Sequence, residues 1–266
     1  MTGRRRAARL ATIAAALLML QASACESDAT TSGGEPSGNG SSAPAAPITV
    51  FAAASLTGSF TQIGQDFQAK SGSTVTFNFG ASSTLATQIN QGAPADVFAA
   101  ASPVTMRTVT DTGGAGTPVN FASNTLQIAV PKGNPAQIAG LADFADESKT
   151  IAICARQVPC GAAAEKVFTA AKITPKPDTL EQDVKAALAK VAANEVDAAL
   201  VYKTDVLAAP DDVDGLEFPE SGQAVNQYPI ATLTASKAPE VSQAFVDYVR
   251  SPKGQAVLTN AGFAQP

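Results

Sequence analysis

From residue 47 onward, short apolar runs that read as β-strands alternate with helical patterns, and this alternation limits the fold more than any other feature. The runs fall at 48–54, 75–79, 96–101, 125–131, 150–154, 197–202 and 228–234. Between the first two, Leu56, Phe60, Ile63 and Phe67 recur at steps of four, three and four, which puts them on one helical face. Val184, Ala187, Leu188 and Val191 repeat the pattern, and Val241, Phe245 and Val249 do so after Pro239 at a helix start. Alternation of this kind implies parallel βαβ units, hence an α/β fold with helices on both sheet faces. With 266 residues, 45% of them hydrophobic, the chain can bury a core for one large domain or two lobes. In such sheets ligands gather at the carboxyl ends of strands, beside helix N-termini.

The first 46 residues do not share the pattern. Arg4, Arg5, Arg6 and Arg9 precede an apolar stretch from Leu10 to Leu20, too short to span a bilayer comfortably, so residues 1–24 read as an export signal. Small residues before Cys25 resemble a bacterial lipoprotein box, with Ala22 where leucine is commonest; Ala22-Ser23-Ala24 also fits an ordinary cleavage site. A lipid on Cys25 would tether the protein to the outer face of a membrane without a spanning helix. Residues 25–46 are rich in Ser, Gly, Pro and Ala and read as a flexible tether. Without residues 1–24 the chain keeps 14 basic and 23 acidic side chains, a net charge of −9, which attracts no anion at long range.

Composition also removes chemistry. There is no histidine, so a Ser-His-Asp or Cys-His nucleophile and an imidazole metal site are excluded. Basic patches with interleaved aromatics are absent, which argues against nucleic acid as a partner. Cys154 and Cys160 bracket five residues in "CARQVPC" and form an expected disulfide in an oxidising compartment; two sulfurs alone make half a metal site.

Three strand-to-helix junctions carry candidate donors. Ser55 closes "ITVFAAAS" just before a helical pattern, and Ser82 lies in "FGASS" before the helix that turns Leu85 and Ile89 inward. Either hydroxyl could cap its helix, a role worth about 1 kcal/mol, or donate to an anion beside the free N–H groups of the first turn. At Val158-Pro159-Cys160-Gly161 the proline has no N–H, which leaves Cys160 and Gly161 as donors or as a plain helix start. Tyr202 ends "AALVY", where a phenol is more often a half-buried core residue than a ligand contact. Asp96 reads as a turn or backbone-capping acid, and Lys185 and Lys203 as solvated surface charges.

Taken in order, "VFAAASLTGSF", "FGASSTLATQINQGAPADVFAAAS", "VPCG", "DVKAALAKV" and "ALVY" resemble the periplasmic molybdate-binding proteins of ABC transporters. The likeness runs from 47 to the terminal "SPKGQAVLTNAGF". It implies a type II periplasmic-binding-protein fold, with lobe 1 at 47–125 and 228–266, lobe 2 at 126–227, and an oxyanion in the cleft between two mostly parallel sheets. It also implies hydroxyl donors at Ser55, Ser82 and Tyr202 and backbone donors at Cys160 and Val184. On this reading the protein is no enzyme and uses no cofactor. Molybdenum enters only as the oxyanion, molybdate or tungstate, with no directly coordinated metal. The chain is expected to act as a monomer that delivers its ligand to a membrane permease. A binding protein tuned to tungstate or sulfate is the near alternative. An exported enzyme with a serine nucleophile is the distant one, disfavoured because no Ser-x-x-Lys pair lies at Ser55 or Ser82. A surface lipoprotein that binds no oxyanion is a third reading.

Overall fold

The structure of the protein, a computed structural model, describes residues 46–266. The expected signal at 1–24, the lipidation site Cys25 and all but the last residue of the tether lie outside the described residues.

Among the described residues ten strands form two sheets of five. The first part of the chain lays down β1 (Ile48–Ala53), α1 (Thr57–Ser71), β2 (Val75–Gly80), α2 (Ser82–Asn90), β3 (Val97–Ala99), α3 (Pro103–Thr110) and β4 (Val119–Asn124). After one intervening residue, Thr125, the chain enters the second sheet with β5 (Leu126–Pro131). That sheet continues through β6 (Ile151–Cys154), α4 (Pro159–Ala171), β7 (Thr179–Glu181), α5 (Val184–Ala192), β8 (Ala198–Tyr202), α6 (Lys203–Leu207) and β9 (Val213–Leu216). The chain then returns to the first sheet as β10 (Asn226–Thr232) and ends in α7 (Pro239–Arg250) and α8 (Pro252–Asn260).

The strand orders are β2-β1-β3-β10-β4 and β7-β6-β8-β5-β9. β1 pairs in parallel with β2 and β3, whereas β10 runs antiparallel to β3 and β4. In the second sheet β6 is parallel to β7 and β8, whereas β5 is antiparallel to β8 and β9. Each sheet is therefore mostly parallel with one reversed strand, and in both cases that strand adjoins a crossing between the sheets. The seven apolar runs all contain strands. β4, β7 and β9 fall outside them because "VNFASN", "TLE" and "VDGL" are polar, short or broken by glycine.

Each sheet has its own core. Phe60, Ile63 and Phe67 of α1 are buried against Phe121, Tyr228 and Phe245, with Phe67 and Phe245 in edge contact at 5.4 Å. In the second half Leu126, Ile128, Phe144, Val167, Phe168, Val191 and Leu200 are buried together. Each such side chain contributes roughly 1.5–3 kcal/mol when removed from water. Leu85 of α2 is buried as its spacing implies, while Ile89 is half-buried because it lies one turn nearer the helix end.

Candidate functional site

Carboxyl ends of strands from both sheets meet at a small cavity. Ser55, Ser82, Cys160, Val184 and Tyr202 all line it. They arrive by different routes. β1 runs into a 3₁₀ turn over Ala54–Leu56 that carries Ser55, and β2 ends one residue before α2, which begins at Ser82. β6 leads through a short loop to α4, β7 leads to α5, and Tyr202 is the last residue of β8.

Neither serine caps a helix. The residues at the capping positions of α1 and α2 are Leu56 and Ala81, with no side-chain bond. Ser55 Oγ instead lies 3.0 Å from Tyr228 Oη. Ser82 Oγ accepts the Ala101 N–H at 3.0 Å. A hydroxyl oxygen held by a backbone N–H keeps its own hydrogen for another acceptor.

The backbone supplies further donors. In α4 the capping residue Val158 accepts the Ala162 N–H, and Pro159 has none to give. In α5 the Asp183 carboxylate accepts the Ala186 N–H at 3.0 Å, two residues beyond Val184. First-turn N–H groups have no partner within their own helix. Among the described residues no backbone carbonyl takes those of Cys160, Gly161 or Val184. Gly161 is required here, since a Cβ at this position would stand 2.0 Å from the Ala155 oxygen. Cys154 and Cys160 are bridged, with Cα atoms 5.7 Å apart, so the loop into α4 is closed at its base.

Behind the lining stands a polar layer that the sequence did not reveal. Asn226 Nδ2 donates to Tyr202 Oη at 2.7 Å and to the Ala101 carbonyl at 2.8 Å. Burial pushes the Tyr202 phenol well above its ordinary pKa, and Tyr228 and Asp205 push it further. Tyr228 is raised too, chiefly by burial. Both phenols therefore stay protonated, as donors must. Asn226 and Tyr228 left little trace in the sequence. The only cue was that the polar pair Asn226-Gln227 directly precedes an apolar strand run.

The charges fall differently from their sequence reading in one case. Lys185 is no solvated surface group: its Nζ lies 2.9 Å from Oδ1 of Asp205, a fully buried carboxylate. Asp205 Oδ2 also accepts the Tyr202 N–H at 3.2 Å. Burial raises the Asp205 pKa while Lys185 pulls it down. Lys203, by contrast, makes an exposed pair with Glu217 at 3.0 Å. Asp96 accepts from the Thr49 N–H, Ser236 Oγ and the Lys237 N–H, which makes it a capping acid. Among the described residues no lysine or arginine lines the cavity, and the one charged lining residue, Asp183, is engaged in capping. Neutral hydroxyls and amides at the positive ends of helices suit an anion that carries no proton. Among the described residues the hydrogen-bond partners of the two serine hydroxyls are Tyr228 Oη and the Ala101 N–H, neither of which is a base that would make a serine nucleophilic.

Comparison with known proteins gives concordant results. The family model for bacterial extracellular solute-binding proteins matches residues 48–264. A molybdate-binding protein of Mycobacterium tuberculosis is 42% identical over 233 residues, covering 85% of this chain and 89% of that protein. A molybdate-binding protein of Escherichia coli is 33% identical, covering 81% and 88%. The periplasmic molybdate-binding protein of Azotobacter vinelandii superposes with a TM-score of 0.73 over 82% of this chain and 99% of that one. At 20% identity that structure speaks for the fold alone, the type II periplasmic solute-binding architecture.

Proposed function

The chain belongs to the bacterial extracellular solute-binding proteins, and from that premise we propose that it captures molybdate between its two sheets and delivers it to an ABC permease. The donor set is Ser55, Ser82 and Tyr202 through their hydroxyls, and Cys160 and Val184 through their amides. Relatives at 42% and 33% identity that are molybdate-binding proteins support the choice of ligand. The observation that carries the reading is the composition of the cavity: five donors from both sheets and no basic side chain.

The physics of capture follows from that composition. A dianion leaving water loses its hydration shell, and each donor that fails to meet it costs about 1–3 kcal/mol. Fixed amides and hydroxyls replace that shell without needing a countercharge, aided by the dipoles of α2, α4 and α5. Selectivity then rests on cavity size, because the smaller sulfate leaves donors stretched or unpaired. The residues 47–125 with 228–266, and 126–227, act as two lobes that close on the ligand. Outside the cytoplasm, a lipid on Cys25 keeps this monomer near its permease.

Calorimetric titration of the exported protein with molybdate, tungstate and sulfate tests the proposal. Tight molybdate binding with weak sulfate binding is expected. Tight sulfate binding without a molybdate response would overturn it, and a tungstate-only response would reassign the ligand.

A further inference from the structure

Asn226 opens β10 and is buried behind the cavity without lining it. Its amide orientation is fixed by its neighbours. The Ala101 carbonyl, 2.8 Å away, can only accept, so the nitrogen of the amide must face it. The other hydrogen of the same nitrogen points at Tyr202 Oη, 2.7 Å away. A phenol oxygen that accepts in this way has its own hydrogen left to donate. Ala101, whose carbonyl is tied to Asn226, passes its N–H to Ser82 Oγ at 3.0 Å. One side chain thus connects hydroxyls of both halves, and both are left as donors. Tyr228 also neighbours the Tyr202 hydroxyl; when it gives its one hydrogen to Ser55 Oγ, 3.0 Å away, the Ser55 and Tyr202 hydrogens both remain for the ligand.

We propose that Asn226 is a positioning residue that sets the proton polarity of the cavity and so restricts it to fully deprotonated oxyanions. The inference rests on the reading of this cavity as the molybdate site. Molybdate at neutral pH presents four bare oxygens, and every one can accept. Hydrogen phosphate brings an O–H that needs an acceptor, and Asn226 has turned the accepting side of Tyr202 away from the ligand. Rejection of the protonated anion is then built in behind the lining rather than in it.

The test is Asn226→Asp, which keeps the shape and replaces the amide donor with an acceptor. The Tyr202 hydrogen then turns toward residue 226 and the phenol oxygen faces the ligand as an acceptor. Calorimetry at neutral pH is expected to show molybdate bound about tenfold or more weakly, and heat from hydrogen phosphate where the parent gives none. In a Tyr202→Phe background the same change is expected to weaken molybdate by less than about threefold further, since no phenol remains to be turned. Equal weakening in both backgrounds would mean simple repulsion by a new charge and would overturn the proposal. Molybdate binding by Asn226→Asp within about threefold of the parent would also overturn it. Should Asn226→Asp fail to fold, Asn226→Leu decides, because loss of the donor must raise phosphate affinity relative to molybdate, and an unchanged ratio refutes the role. A parent protein that binds no molybdate would end the proposal together with the reading beneath it.

Discussion

At the residue scale, the two serines show how far a sequence can be read and where it stops. Ser55 and Ser82 were each as compatible with a cap as with a ligand contact, because both roles place a hydroxyl at a strand-to-helix junction. The structure rules out the caps: Ser55 faces Tyr228, and Ser82 is held by the Ala101 amide. Neither partner is near in sequence, so no local pattern could have shown it. Ser82→Ala and Ser55→Ala are expected to weaken molybdate binding about tenfold each with little change in melting temperature, read by calorimetry and thermal melts. A stability loss without an affinity loss would return them to structural roles. Tyr202 and Tyr228 make a second prediction. Their folded pKa values are raised, so the folded state holds these protons more tightly than the unfolded state does. Their contribution to stability is complete below the ordinary phenol value, about 10, and is lost as pH rises beyond it. Urea unfolding across pH 8 to 11.5 should show a plateau and then a decline, and Tyr228→Phe should make the decline shallower.

At the element scale, helix starts do the work that charged side chains would do elsewhere. The helices were legible because apolar residues at three- and four-residue steps face a core, as Phe60, Ile63 and Phe67 do. The reversed strands were not, because an apolar run such as "LQIAVP" carries no mark of its direction. Direction comes from which strands it lies between, a property of the whole sheet. The bridge from Cys154 to Cys160 belongs to this scale, since it ties the end of β6 to the first turn of α4. Closing so short a loop limits the unfolded chain, a contribution of about 2 kcal/mol. Replacing both cysteines by serine is expected to lower stability by that order and to weaken molybdate severalfold, because the loop that presents the Cys160 amide is freed. Urea titration and calorimetry on the same preparation would separate the two effects, and unchanged affinity would show that α4 holds the amide unaided.

At the scale of the whole molecule, two five-stranded sheets share one cavity, and the proposed donors are divided between them: Ser55 and Ser82 line it from one side, Cys160, Val184 and Tyr202 from the other. The two crossings of the chain have a consequence for how such a protein is made. All strands of the second sheet lie between Leu126 and Leu216, whereas β10 sits in the interior of the first sheet, between β3 and β4. A polypeptide threaded through a membrane with its amino end leading can therefore finish its middle portion while its earliest portion still waits. The opening third stays incomplete until the last forty or so residues emerge to fill the gap in its sheet. A chain stopped at residue 225 should accordingly protect the amides of β5, β6 and β8 from hydrogen exchange and leave those of β1 and β3 open. What is synthesised first is the last to become solid.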